Sequence, residues 1–440
     1  MSAGYRRRIR TDGSRVLSPL LDACARLGWT AINGAVARRR LVVIGRAEQG
    51  VLTLHTVVSV PPATRGQTQG RSIGIVSTFP PTSCGIATFS AALAAGLIAS
   101  GASVDVVRSD ASPAVEDVLV VASLAERESA VDALNATDVV IIQHEYGLYD
   151  GDDGDSIVKL IGAIDVPIVV VAHTVLSEPT ANQRVVLEQV CAAADAIVVM
   201  TETARTRLFA GFDVDQGKVL LIPHGAATPP ADATIGRRPS ERPARLLTWG
   251  LLGPGKGIEW AIDAVAELSD LEPHPDYIVA GATHPKVRKM HGEAYRNMLV
   301  DRAARSGAAS HVLFDDTYRD LASLTSLIQS VDLVVLPYDS RDQVTSGVLV
   351  DAVAAGRPVV STAFPHAVEL LASGAGIVVP QRDPAALAAA IRSVLTDSTL
   401  AASMAAEARR LAPGLSWSAV AQRYAKLADG LVDARQAVAS

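Results

Sequence analysis

Two trains of short, near-continuous Val/Ile/Leu runs, each run followed by helix-forming sequence, constrain this chain more than any other feature. The first train passes through Ser72–Ser77, Val104–Val107, Val139–Gln143, Ile168–Ala172, Ile197–Met200 and Val219–Ile222. Runs without polar alternation belong to strands covered on both faces, as in parallel sheets. Ala87–Ala99, Ala181–Ala194 and Glu202–Phe209 read as helices between them. The second train has strands at Leu246–Trp249, Tyr277–Ala280, Val312–Phe314, Leu333–Leu336, Val359–Ser361 and Ile377–Val379. Its helices are expected at Ile258–Leu268, Val287–Ala304, Leu321–Ser330, Val348–Ala355 and Ala385–Leu395. Each train spells an α/β domain built on a Rossmann-like, doubly wound parallel sheet. Residues 226–244, rich in Pro, Arg and small polar residues, read as the linker between a first domain at 72–225 and a second at 245–412. A final amphipathic helix falls in 413–440.

The stretch 1–71 stands apart. It holds 12 arginines against three acidic residues, a net of +9 in a chain of net −6. Such a basic extension either touches anionic lipid or a partner at a membrane surface, or is a poorly ordered arm. The acidic remainder argues against nucleic acid as the main partner. Three scattered cysteines, Cys24, Cys84 and Cys191, fit neither a disulfide framework nor a zinc site. No apolar run approaches the roughly 20 residues of a membrane helix, and the start lacks a secretory h-region, so a cytoplasmic location is expected.

Open α/β sheets bind ligands beyond the carboxyl ends of their strands, which directs attention to the residues just after each run. Gly85 follows the first strand and opens a helix; it either closes an ordinary βα turn or offers its amide to an anion. His144 and His173 stand at two successive strand tips, directed at the cleft. His224, after another strand, reads as structural. In the second domain Gly347 opens a helix preceded by Thr345 and Ser346, and Asp351 follows about one turn on. Amides at a helix start suit phosphate oxygens, and a carboxylate one turn further on reaches sugar hydroxyls.

The segment from Gly250 to Lys256 fits G-x-x-x-x-G-K, the phosphate-cradling P-loop, but the next residue is Gly257 where a magnesium-binding hydroxyl is needed. "LVVLPYD", interrupted by Pro337 and Tyr338, supplies no convincing acidic partner for the metal. A lysine at a helix start can instead clamp a diphosphate without a metal.

From about Ser72 to Val432 the chain resembles the retaining glycosyltransferases of family 4, with the GT-B fold of two Rossmann-like domains facing a cleft. That family opens its second domain with Gly-Arg-Leu-x-x-x-Lys-Gly; Gly250, Leu252, Lys256 and Gly257 match, while Leu251 replaces the arginine. Its Glu-x7-Glu motif falls on Gln343 and Asp351, followed by "AVAAGRPVV". The glycine loop at Gly85, the strand-tip His144 and a terminal helix entered at Trp417 match as well. The resemblance implies hexose transfer, with mannose or glucose favoured, from a nucleotide-diphosphate sugar to a hydroxyl acceptor, with no further cofactor and no metal. It implies that Lys256 and the amides of Ser346 and Gly347 hold the diphosphate and Asp351 the ribose. His144 meets the hexose, with Gly85 close to the donor. Thr317 and Tyr318 flank the base, and His173 and Gly250 belong to the donor site. Gln343 takes a catalytic carboxylate's place, and the last helix packs back on the first domain. Lys286, Arg288 and Arg341 are candidates for the missing cation. A GT-B epimerase or phosphorylase, or a non-catalytic nucleotide-sugar binder, are the competing readings.

Overall fold

The computed structural model describes residues 42–48, 51–57, 70–82, 84–109, 119–227, 242–317, 319 and 321–439. The chain divides into two compact units, Met1–Gln67 and Thr68–Ser440. In the first, strands β1 (Val42–Glu48) and β2 (Val51–Val57) pair antiparallel as a hairpin. The rest of the basic extension up to residue 69, and most of the linker, lie outside the described residues.

The second unit holds two all-parallel sheets. The first comprises β3 (Ser72–Ser77), β4 (Ser103–Arg108), β5 (Val120–Ser123), β6 (Val139–His144), β7 (Ile168–Ala172), β8 (Ala196–Val199) and β9 (Val219–Leu221), in the order β5-β4-β3-β6-β7-β8-β9. The second comprises β10 (Arg245–Trp249), β11 (Asp276–Ala280), β12 (Val312–Asp315), β13 (Leu333–Leu336), β14 (Val359–Thr362) and β15 (Gly376–Val379), in the order β12-β11-β10-β13-β14-β15. Strand order reverses between β3 and β6 in one sheet and between β10 and β13 in the other. These are the switch points where such sheets open a crevice.

Both faces of each sheet are buried, and the strands show why. In β6, Val140 and Ile142 enter one core while Val139 and Ile141 enter the opposite one. In β10, Leu246 and Leu247 divide the same way. A strand wetted on one face would alternate; these do not. The last helix, Trp417–Ala439, leaves the second domain and buries Val420, Ala421, Tyr424, Ala428 and Val432 against Phe89, Leu93 and Leu97 of the first. Gly96 permits this approach: a Cβ there would stand 2.7 Å from that of Ala421.

The helix expected over Val287–Ala304 is two, Pro285–His291 and Ala294–Ser306. Gly292 breaks it at φ +59°, donating its N–H to the Arg288 carbonyl at 2.9 Å. Strand β5 and the helices Arg127–Asn135, Ser156–Ile161, Pro365–Leu370 and Ser398–Leu415 add to the elements expected from the sequence. Among the described residues no single helix is long and apolar enough to cross a membrane.

Candidate functional site

Strand β10 ends in a loop that only glycine can build. Gly250 turns at φ +114°, and its carbonyl lies so near Gly281 that a Cβ on Gly281 would fall 2.0 Å from it. The loop returns to the sheet at Gly257, φ +64°, where a Cβ would meet the Pro337 carbonyl oxygen at 1.8 Å. A P-loop serine or threonine therefore cannot stand there. Lys256 sits above the Tyr338 ring, Nζ 4.5 Å from its centroid. Tyr338 is buried and stacks on Phe364 at 5.0 Å. Sequence reasoning saw "LPYD" only as a failed metal site and missed this platform. The available signal was an aromatic residue directly after β13, across the switch point from the lysine.

The helix Gly347–Ala354 starts beside the same loop: a Cβ on Gly250 would lie 3.7 Å from Val348 Cγ2. The Ser346 hydroxyl caps it, accepting the Leu349 N–H at 3.3 Å. The Ser346 N–H, expected to face a phosphate, instead donates to His366 Nδ1 at 2.8 Å. Capping leaves Gly347 and Val348 as the N–H groups without a partner among the described residues, so the expected pair of amides moves one residue on. Gly347 is held to glycine by His224, whose Nε2 would be 2.8 Å from a Cβ at 347. His224 shares its Nδ1 proton with the Gly225 carbonyl at 2.6 Å, which leaves Nε2 as an acceptor. Its ring also meets Phe89 at 5.0 Å, so the residue is structural and lies at the site as well.

Asp351 accepts the Ala227 N–H, and burial raises its pKa from 3.8 to about 7. With Ala227, Leu321, Leu324, Thr325, Ile328 and Ala355 it lines a pocket. Thr317 is exposed past β12, its N–H on Asp315 Oδ1 at 2.9 Å, and Arg319 holds the Asp315 carboxyl down to about 2. Tyr318 lies outside the described residues.

Across the cleft, Gly85 opens the helix Gly85–Ala99, with Cys84 Sγ accepting the Ala87 N–H at 3.3 Å. Among the described residues no atom lies within 4 Å of a Cβ built on Gly85, so their packing does not demand glycine there. His144 departs from expectation. It is 1% exposed, its ring edge-on to Tyr146 at 5.3 Å, rather than standing free in the cleft. Burial lowers its pKa to about 4, so the imidazole is neutral, and Nδ1 has no partner among the described residues. His173 is turned inward too, with Nε2 2.7 Å from Gln143 Oε1 and its ring on Phe89 at 4.9 Å; desolvation lowers it to about 3.

The two sets of strand ends are tied together through residues 342–346 and the helix Pro365–Leu370. Val344 packs in the core of the first sheet, and its carbonyl accepts the Thr201 hydroxyl at 3.0 Å. Asp342 accepts from Ser177 N–H and Oγ and from Arg207 Nη1. Glu369 accepts the Glu202 and Thr203 amides at the start of the helix Glu202–Gly211. Gln343 lies in this bridge with its side-chain amide donating to the Thr345 carbonyl, folded onto its own loop rather than presented to the cleft.

The comparisons with known proteins agree with this architecture. Residues 243–397 match the family model described as Glycosyl transferases group 1. The chain is 27% identical over 283 residues to a D-inositol 3-phosphate glycosyltransferase of Corynebacterium efficiens, covering 60% of this chain and 65% of that one. It is 32% identical over 193 residues to the glycogen synthase of Mycobacterium tuberculosis, covering 43% of this chain and 44% of that one. The matched stretches thus span under two thirds of these relatives' lengths. Among solved structures it is similar to sucrose-phosphate synthase from Thermosynechococcus elongatus, with TM-score 0.66, 20% identity, and coverage of 83% of this chain and all of that one. It is also similar to Anabaena HepE, solved with UDP-glucose, with TM-score 0.63, 18% identity and coverage of 82% and 100%. The second unit has the GT-B fold.

Proposed function

We propose that the protein is a metal-independent, retaining glycosyltransferase that moves a hexose, mannose or glucose favoured, from a nucleotide-diphosphate sugar to a hydroxyl acceptor. One observation carries the reading. At the switch point of the second sheet, Lys256 rests on Tyr338 with no carboxylate bound to it among the described residues, beside a helix start whose first amides are unpaired. Phosphoryl oxygens complement that arrangement. HepE, a structural neighbour, was solved with UDP-glucose.

In the proposed reaction the bond from the anomeric carbon to the diphosphate oxygen breaks and its electron pair goes to the leaving group. Lys256 and the Gly347 and Val348 amides stabilise that charge as it grows. The acceptor oxygen bonds to the same carbon from the same face, and its proton passes to the departing diphosphate. Asp351 holds the ribose hydroxyls. Neutral His144, once its ring turns out of its buried position, offers Nδ1 to the hexose, and Gln343, released from Thr345, contacts the sugar.

The test is transfer or hydrolysis with UDP-, GDP- and ADP-hexoses, each with and without EDTA. Turnover of one donor, unchanged by EDTA and reduced at least about 10²-fold in Lys256→Ala, is expected for removal of a leaving-group contact. Wild-type rates in Lys256→Ala would overturn the assignment. A nucleotide-sugar binder without turnover is the second reading, favoured by the Gln343–Thr345 bond. Binding of one donor without transfer or hydrolysis would select it.

A further inference from the structure

Leu251 stands where the resemblance calls for an arginine, which leaves Lys256 as the single cation so far assigned to the diphosphate. The segment beyond β11 lies against the same loop. Leu252 bridges Thr283, the His284 N–H donates to the Leu252 carbonyl at 2.8 Å, and a Cβ on Gly253 would stand 3.2 Å from Val287 Cγ2. Residues 283–287 are thus fastened to the loop one residue past Leu251.

The three candidate cations differ in their surroundings. Arg288 is exposed and paired with Glu293 at 3.3 Å, and the Arg341 carbonyl accepts Arg207 while its side chain lies exposed. Lys286 is exposed as well, and its side chain forms no hydrogen bond or ion pair among the described residues, but it has a direction. It spans the cleft: a Cβ on Gly147, in the first domain, would be 3.2 Å from its Nζ. Glu145, shut in beside it, feels its charge. His284 feels both Lys286 and Lys256. The His284 Nδ1 accepts the Lys286 N–H at 3.1 Å, so the neutral ring carries its proton on Nε2 and remains a donor.

We propose that Lys286, with His284 beside it, supplies the second cationic arm of the diphosphate site in place of the arginine missing at position 251. The inference rests on the donor reading above. An ammonium acts as a point charge on a flexible stem and needs no fixed fork, so a lysine in the first turn of a neighbouring short helix can stand in for a guanidinium. Lys256 and Lys286 then hold a diphosphate between them, and His284 donates to the oxygen they share. The amides of the short helix 285–291 play no part.

The full chain is titrated calorimetrically with UDP, GDP, ADP and the parent nucleosides to find the base it accepts. Lys286→Gln, the double variant Leu251→Arg/Lys286→Gln, and His284→Asn, which keeps a capping acceptor, are then compared. Lys286→Gln is expected to weaken the nucleoside diphosphate about 10-fold while leaving the nucleoside and the melting temperature unchanged. Leu251→Arg is expected to restore much of that loss, and His284→Asn to cost about threefold. Lys286→Gln binding the diphosphate like wild type, or losing nucleoside and diphosphate equally, overturns the proposal. Wild type binding no nucleotide at all would instead sink the donor reading beneath it.

Discussion

A Cβ on Gly257 would lie 1.8 Å from the Pro337 carbonyl oxygen, at a φ of +64° that side chains rarely adopt. Restoring the P-loop with Gly257→Ser should therefore not restore an ATPase. The left-handed backbone costs about 1–2 kcal/mol and the collision adds to it, so unfolding by urea should show a loss of about 2 kcal/mol or more with no Mg-ATP binding gained. Asp351 gives a second prediction. Its pKa is raised from 3.8 to about 7, so the folded chain keeps a proton that the unfolded chain releases between those values. Stability is therefore lost as pH rises through that window. Asp351→Asn should match wild type near pH 4 and exceed it above pH 7, by on the order of 1–3 kcal/mol, while binding nucleoside diphosphate more weakly. Melting curves at pH 5, 6, 7 and 8 read the first effect and calorimetry the second. Lys256, Gly347 and Asp351 were singled out from the sequence because they stand at helix starts or one turn inside, and the structure puts Lys256 just before the helix Ile258–Ala266 and Gly347 first in the helix that carries Asp351. Tyr338 follows β13 closely, but its role as a seat for Lys256, like that of His366 under Ser346, depends on a partner distant in the chain that local pattern does not show.

Elements were legible where their burial was complete. Strands covered on both faces leave unbroken apolar runs, and β7 and β13 lie where those runs predict. Strand β5 left no such trace, being a short edge strand in which Ala122 is buried but Val121 is 46% exposed. The helix over Val287–Ala304 was read through Gly292, whose positive φ ends it. Nor does local pattern show that residues 342–346, which lead into a helix of the second domain, take their anchors from the first. Val344 is 1% exposed in the first sheet's core. Val344→Ala removes buried methyl groups and should cost about 1–2 kcal/mol. It also loosens the segment that carries Gln343 while leaving Lys256 and Asp351 in place. The transfer rate should accordingly fall more than nucleoside diphosphate affinity does, a split that steady-state kinetics and calorimetry together resolve. Equal losses in both would mean that the anchor also sets the phosphate site.

At the scale of the molecule, two successive trains of strands were enough to announce two doubly wound sheets. Their joining was not legible, because Asp342–Ser177 and Glu369–Thr203 connect polar residues with no periodic signature. Trp417 is the hinge of that joining. It enters the last helix, its N–H donates to the Ala226 carbonyl at 3.1 Å, and its ring meets Phe89 at 5.0 Å. The ring also fills the space over Gly225, where a Cβ would fall 2.4 Å from it. Trp417→Ala empties that junction and should cost about 2–4 kcal/mol. The loss falls on the first domain, whose core the helix completes, and not on the diphosphate site, whose assigned contacts lie mainly in the second. Calorimetric melting should therefore split into two transitions, the lower one belonging to the first domain. Nucleoside diphosphate, bound to the folded second domain, should raise the upper transition and leave the lower one nearly fixed. If the variant instead melts in one transition that the nucleotide raises as a whole, the bonds made by Asp342 and Glu369 suffice to couple the domains, and the last helix is not what makes them unfold together.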